Sequence, residues 1–360
     1  MATTQQKFPD VHWVWQGGIS FVYEVHPSIV VKVPKPGEFE REQFQNELKV
    51  YEILSRHTPC PSIVQCFLYT DNGIFLEYMQ DASLCSRIQK NHILDRQTLR
   101  VTKVEKLEPL TLRKEWMNDL AQAVAFLESL NLAHGDLRPE NILINGDQLK
   151  LSDFDCTAEI GTDFEACIPP YGRMLNSDEE TQREWGSGLL GPRTEQFALG
   201  SIFYFINYGF AVYGDTRLTE DPNKHGCKVV ELLQNMQFPN LNGDPLLDDI
   251  INKCWHNKYV TIAELATYTA KLLPESDPPR NTDTKATSPP NCLTNEAANP
   301  EITNPGDPGN GDIDQNCSPE VLSKISLCES LVGRGLLDIL SSREPEQLGF
   351  TLEWYRYHTG

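Results

Sequence analysis

The sequence predicts an α+β protein of two lobes, a small β-rich lobe followed by a larger helical one. Three patterns predict it. Residues 13–33 and 63–79 hold short runs of alternating apolar and polar residues, punctuated by turn residues, which is the mark of strands. Residues 39–56 carry Phe39, Phe44, Leu48, Tyr51 and Leu54 at a spacing that suits an amphipathic helix. From about Leu110 onward helical spacing dominates, beginning with LTLRKEWMNDLAQAVAFLESL.

In order, residues 13–33 read as a β-hairpin whose two runs break at His26-Pro27-Ser28, with glycines near its start. Residues 63–79 return to strands around an Asp71-Asn72-Gly73 turn. The stretch 197–214 carries no charge and is nearly long enough to span a bilayer. Its three glycines, its asparagine and serine, and the lack of flanking basic clusters favour a buried central helix and the turn after it. After Leu273 the composition turns to Pro, Asn, Asp, Thr and Gly. Residues 274–317 therefore read as a disordered linker that cannot bury enough surface to offset its ordering entropy. Structure is expected to resume at Ser318-Pro319, an N-cap followed by proline at the first helical position. Val321, Ile325, Cys328 and Val332 then share a face. The division is thus 1–12 as an N-terminal segment, 13–273 as a domain (small lobe 13–79, large lobe 80–273), and 318–360 as a helical and aromatic tail.

Composition sets the outer limits. The formal net charge of −20 argues against a nucleic-acid or anionic-membrane surface and favours basic partners. Ten cysteines are scattered with no C-x-x-C pair, which reads as free thiols in a reducing compartment. MATTQQKFPD has neither an apolar core nor a basic start, so no signal peptide is visible, and a cytoplasmic or nuclear location is expected.

The chemistry concentrates in HGDLRPENILINGDQLKLSDFD, residues 134–155. Asp136 opens a loop, Asn141 follows five residues on, and Asp153 twelve after that. Between them ILI and LKL flank Asn145-Gly146, a strong hairpin signal. A hairpin folds its ends together, so Asp136, Asn141 and Asp153 are expected on one edge of a cleft. Such an oxygen-rich edge suits Mg²⁺, which takes few carboxylates and completes its shell with water and phosphate oxygens.

This segment resembles the catalytic core of the protein kinases. The template H-R-D-L-x-x-x-N is met at His134, Asp136, Leu137 and Asn141 and fails at Gly135; D-F-G is met at Asp153 and Phe154 and fails at Asp155. The resemblance extends over about residues 13–273, and HGDLRPEN with DFD looks most like divergent fungal kinase-like proteins. It implies a two-lobed kinase fold, ATP and Mg²⁺ as cofactors, and a protein hydroxyl as acceptor, of the Ser/Thr type because Pro139-Glu140 follows that pattern. Residue by residue it implies Lys32 of IVVKV on the α- and β-phosphates, with Glu47 of FQNELKVYEIL as its partner. Asp136 faces the acceptor hydroxyl, Arg138 reaches a phosphate, and Asn141 and Asp153 bind Mg²⁺. LEYM becomes the hinge, where the backbone of residues such as Glu77 and Met79 meets the adenine, sandwiched by Val22 and Leu143.

Departures keep two other functions open. Aligning Val22 on G-x-G-x-x-G-x-V puts Trp15, Gly17 and Ser20 at the glycine positions, so only the middle glycine survives. Gly135 replaces the arginine that reads a phosphorylated activation loop, so control by that route is not expected. IPPYGRML lacks the glutamate of A-P-E, and CWHNKYVTIAEL lacks the arginine that pairs with it. Glu195 stands for the aspartate that braces the catalytic loop. These losses fit a pseudokinase used as a binding module. The HGD loop is also shared with small-molecule phosphotransferases, although LEYM, DLRPEN and ALGSIFYFINYG look like protein-kinase elements. The tail, with Leu331, Val332, Leu336, Leu337, Ile339, Leu340, Phe350, Trp354, Tyr355 and Tyr357, has too much apolar surface to stay solvated. It is expected to dock in cis or on a partner protein.

Overall fold

The computed structural model describes residues 7–81, 83–98, 100–163, 167–173, 188–274 and 318–353. Its first lobe is a five-stranded antiparallel sheet, formed by β1 (His12–Gln16), β2 (Ser20–His26), β3 (Ile29–Pro34), β4 (Cys66–Thr70) and β5 (Gly73–Glu77) in the order β1-β2-β3-β5-β4. The expected hairpin over 13–33 is thus three strands. Gly17 and Gly18, read as lying near the hairpin's start, turn β1 into β2, and the Gly17 amide closes that turn on the Ser20 carbonyl at 2.9 Å.

Helix α1 (Glu38–Leu54) lies against the sheet through Phe44, Glu47, Leu48, Val50 and Tyr51. Phe39, expected on that face, is 63 % exposed. The reason is helical geometry: five residues advance about 500°, which leaves Phe39 roughly 140° round from Phe44.

The second lobe begins with α2 (Leu84–Gln89) and a hairpin, β6 (His92–Leu94) and β7 (Val101–Val104), that the sequence did not announce. Helices α3 (Leu110–Ser129), α4 (Pro192–Tyr208), α5 (His225–Gln234), α6 (Pro245–Trp255) and α7 (Ile262–Ala270) build its core. Short strands β8 (Leu132–Ala133), β9 (Ile142–Asn145), β10 (Gln148–Leu151) and β11 (Ala158–Glu159) carry the loops between α3 and α4. The charge-free stretch is α4, buried along nearly its whole length between α3 and α6 and stopped by Gly209 at φ +79°. Among the described residues no helix is long and apolar enough to cross a membrane. The described cysteines are free thiols.

The sheet has a core on each face. The inner face, α1 and the helical lobe form one continuous cluster. The other face, with Trp13, Phe21, Tyr23, Val31 and Phe75, meets Phe8 and the tail helices α8 (Pro319–Gly333) and α9 (Leu336–Leu340). The Ser318 hydroxyl caps α8 by accepting from the Val321 amide. Cys328, Leu331, Leu336, Leu337, Leu340 and Phe350 are buried there, with Val321, Ile325 and Val332 packed at the margin. The Glu353 amide donates to the Trp13 carbonyl at 2.8 Å, and its carboxylate lies 3.2 Å from His12 Nδ1. Residues 275–317 of the expected linker, Met174 and Leu175, and Trp354, Tyr355 and Tyr357 lie outside the described residues.

Candidate active site

Lys32 sits on β3 directly opposite Val22 of β2. Opposed residues of an antiparallel pair share a face, so both point from the sheet into the space between the lobes. The Lys32 ammonium lies 2.5 Å from Glu47 Oε2 on α1 and 2.5 Å from Asp153 Oδ1 beyond β10. Burial works against the lysine's charge, but the Asp153 and Glu47 carboxylates outweigh it and raise its pKa. For Asp153, burial pulls upward and is overcome by Lys32, which holds the carboxyl below its usual range. Burial pushes Glu47 up against the pull of Lys32. Asp155 is raised by burial and by the neighbouring Asp153. Asp153 adopts φ +67°, a conformation that aspartate accepts more readily than most residues. Phe154 is buried beneath it, its ring 5.4 Å from those of both Tyr51 and His134.

The expected hairpin is present: β9 and β10 pair from Ile142↔Leu151 to Asn145↔Gln148, and Gly146 takes φ +62° in the turn. It brings the predicted edge together. The Asn141 amide group donates to the Asp136 carbonyl and to Asp136 Oδ2, each at 2.9 Å, while the Asn141 carbonyl accepts from Ser152, the residue before Asp153. Arg138 Nε lies 3.1 Å from Asp136 Oδ2.

His134 is structural. Its Nδ1 accepts from the Asp136 amide, so Nε2 carries the proton given to the Ser152 carbonyl at 3.0 Å. Glu195, fully packed in α4, accepts from the His134 and Gly135 amides at 2.8 and 3.3 Å. Gly135 takes φ +78°, and a Cβ there would stand 2.6 Å from the Cys156 carbonyl oxygen. The loss of arginine at this position is therefore locked into the backbone. Gln196 ties α4 to the CWHNKY segment, with Nε2 bonded to Asn257 Oδ1 and to the Tyr259 carbonyl.

One contact was invisible in the sequence. The Cys167 thiol donates to Asp136 Oδ1 at 3.0 Å and is itself buried. Burial, then the Asp136 carboxylate, raises its pKa, so the thiol stays a donor at neutral pH. Asp136 is thereby held at both oxygens, by Cys167 on one and Asn141 on the other. Cys167→Ala is expected to lower turnover by roughly tenfold, the worth of about one hydrogen bond to a charged group. Cys167→Ser should restore it. Equal turnover in both variants, measured at saturating substrates, would remove the thiol from the positioning of Asp136.

The other predicted residues are placed as follows. Val22 and Leu143 are partly exposed where they border the main core, one on each lobe. Met79 is buried in the main core. The Glu77 carboxylate is turned away to Lys150 of β10 at 2.6 Å, so its side chain ties the lobes, while its amide donates to the Gln65 carbonyl at 2.8 Å. At Gly18 nothing lies within 4 Å of where a Cβ would stand, and at Gly17 the nearest atom is 3.6 Å off. This turn leaves room for a ligand. Trp15, at a position where the kinase pattern has glycine, is 53 % exposed.

Among the described residues no group of three or more His, Cys, Asp or Glu could hold a metal alone. A hydrated Mg²⁺ shared with phosphates does not need one. Asn141 and Asp153 offer hard oxygen donors, and a third of the Asp153 side chain is exposed. The donor set fits that ion.

A five-stranded antiparallel lobe, a helical lobe, a Lys–Glu–Asp trio and an Asp–Asn loop together define the architecture of the kinase-type phosphotransferases. The chain belongs to the protein kinase family: the protein kinase domain matches residues 16–261. It is 26% identical to human MAP kinase-activated protein kinase 2 over 260 residues, covering 62% of this chain and 60% of that protein. Similarity to the mouse dual specificity protein kinase TTK is 22% identity over 240 residues, 63% of this chain and 26% of the relative. With the probable serine/threonine-protein kinase FMP48 of Saccharomyces cerevisiae it is 26% over 225 residues, 56% and 58%. The chain thus spans less than two thirds of the length of each of these relatives.

Proposed function

We propose that this chain is an ATP- and Mg²⁺-dependent protein kinase of the serine/threonine type, acting on a protein hydroxyl. The observation that carries this reading is the Lys32 ammonium held between Glu47 and Asp153 while Asp136 is fixed by Asn141 nearby. Lys32 is the cation for the α- and β-phosphates, kept charged by its two carboxylates. Val22, Leu143, Gly17 and the backbone of Glu77 and Met79 receive the nucleoside and the phosphate chain. Asp136 orients the acceptor hydroxyl and takes its proton, and Arg138 supplies positive charge beside it. Asn141 and Asp153 would hold Mg²⁺, which when bound neutralises charge building on the phosphate oxygens. Pro139-Glu140 and the similarity to the yeast relative, a probable serine/threonine-protein kinase, support the serine/threonine type, and HGDLRPEN with DFD supports a place near divergent fungal kinase-like proteins. The net charge of −20 favours a basic protein substrate. The tail is assigned to the same chain as a brace on the small lobe in cis.

A second reading, a nucleotide-binding pseudokinase, is favoured by one observation: Trp15 and Ser20 stand where the glycine loop needs freedom. The deciding experiment gives the full chain Mg·ATP and a generic basic protein. Binding with phosphorylation supports the kinase, binding alone the pseudokinase, and turnover only on small hydroxyl compounds a small-molecule phosphotransferase. The metal role has its own check. Asp153→Ala should abolish the Mg²⁺-dependent strengthening of ATP binding seen by calorimetry. The same magnesium dependence in wild type and variant would put the ion elsewhere.

A further inference from the structure

A cavity of about 540 Å³ lies between residues 58–62, in the loop that joins α1 to β4, and the face of α3 that carries Asp119, Ala125 and Phe126. Lys32, Glu47, Asp136, Asn141 and Asp153 do not line it, so it is separate from the site described above. Its volume is within the range of pockets that enclose small ligands.

Both walls are fixed. The Ser62 carbonyl accepts from the Leu151 amide at 2.8 Å, the Val64 amide donates to the Leu151 carbonyl at 3.0 Å, and the Ile63 amide closes the loop on the Cys60 carbonyl at 3.1 Å. Pro59 and Pro61 set φ on either side of Cys60. The facing wall is the 20-residue helix α3, whose opposite side is buried in the main core through Leu120, Ala123 and Val124. A ligand that enters between such walls has little chain to order.

The lining is of two kinds. Cys60, Ala125 and Phe126 supply apolar surface that the core covers only in part. Beside them stands the half-buried Asp119 carboxylate. Among the described residues no Lys or Arg pairs with it, and the charge that acts on it is the Glu115 carboxylate, one turn back on α3. Lys150, whose charge is felt by the Cys60 thiol, is committed to Glu77 at 2.6 Å. Burial, then Glu115, pushes the Asp119 pKa up to about 6, while the Ser62 side chain holds it down. Asp119 is therefore ionised at pH 7, yet partly stripped of water and repelled by a like charge at helical spacing. An arriving cation relieves both costs.

We propose that this cavity is a binding site for small organic cations, with a protonated amine or guanidinium on the Asp119 carboxylate and an apolar body against Ala125 and Phe126. A bare metal ion would leave the apolar wall in water. A neutral apolar ligand would strip Asp119 further without pairing it. Only a cation carrying an apolar group satisfies both parts of the lining. The proposal does not depend on the kinase reading, because neither nucleotide nor acceptor takes part in it.

The test titrates the full chain by calorimetry with phenethylammonium, with phenethylguanidinium, and with 2-phenylethanol as the neutral counterpart. The two cations should bind at millimolar concentration or tighter, and the alcohol at least about tenfold more weakly. Saturating phenethylammonium should slow maleimide labelling of Cys60, read by peptide mass, and leave that of the exposed Cys227 unchanged. Asp119→Asn should lower affinity for the cations by roughly 10–100-fold, the worth of one hydrogen bond to a charged group, with melting temperature and Mg·ATP affinity unchanged. Ala125→Trp, which fills the cavity, should abolish binding of all three probes. Should melting show either variant misfolded, the difference between ammonium and alcohol and the protection of Cys60 in the wild type decide the matter. Equal affinity for amine and alcohol overturns the proposal. So does unchanged affinity in folded Asp119→Asn, Cys60 labelling indifferent to the amine, or no binding of either cation at millimolar concentration.

Discussion

Asp136→Asn is expected to lower phosphoryl transfer by roughly 10²–10⁴-fold, the usual worth of a positioned acid–base group. The substitution is close to isosteric. The amide oxygen can still accept from Asn141 or Cys167, and Arg138 loses only a partly exposed partner. Folding should therefore be little changed, and ATP affinity with it, since the Lys32–Glu47–Asp153 trio is intact. The measurement is single-turnover phosphorylation of a basic protein, with melting temperature and ATP binding as controls. Turnover equal to wild type would exclude Asp136 from the reaction.

Removal of residues 318–360 should have the largest effect on stability. Leu331, Leu336, Leu337, Leu340 and Phe350 are buried against the sheet. At about 1.5–3 kcal/mol per side chain the gross contribution is on the order of 10 kcal/mol. Ordering two helices offsets much of it, but the remainder still matters against a total stability of about 5–15 kcal/mol. The deletion also uncovers Trp13, Phe21, Tyr23 and Phe75, a contiguous apolar face that favours aggregation. We expect the melting temperature to fall by about 10 °C or more, at roughly 2–4 °C per kcal/mol for a domain of this size. The double variant Leu336→Asp/Leu340→Asp in the full chain should do the same without shortening it. A truncated chain with the melting temperature and solubility of the full chain would refute the brace. A truncated chain with higher turnover would instead make the tail an inhibitor.

Much of the site was legible because its residues are bound to local backbone geometry. The turn falls at Gly146-Asp147, one residue on from the expected Asn145-Gly146 because Asn145 still pairs with Gln148, and its register brings Asn141 beside Ser152 and Asp153. Lys32 was legible from IVVKV, a strand with one charge in an apolar run. Glu47 was legible from its helix, although only tertiary packing shows that it is wholly buried against Lys32. Phe39 was misplaced because spacing near a helix start approximates a face without fixing its angle. The turn at Gly17-Gly18 was misjudged because two short runs and three short strands look alike in alternation.

What the sequence determined by itself is the set of local choices: a β-rich lobe before a helical one, the hairpin that joins Asp136 to Asp153, the Ser318-Pro319 helix start, and the charge-free helix. Each follows from interactions within a few residues, such as turn preference, capping and apolar period. Tertiary structure alone decided the contacts between distant segments. Cys167 reaches Asp136, Glu77 turns to Lys150, the loop at residues 58–62 walls a cavity against α3, and the tail covers the sheet. A thiol, a glutamate or an apolar helix face reads the same whatever it will touch. Its partner is chosen only when the collapsed chain must bury apolar surface and pair the polar groups enclosed with it.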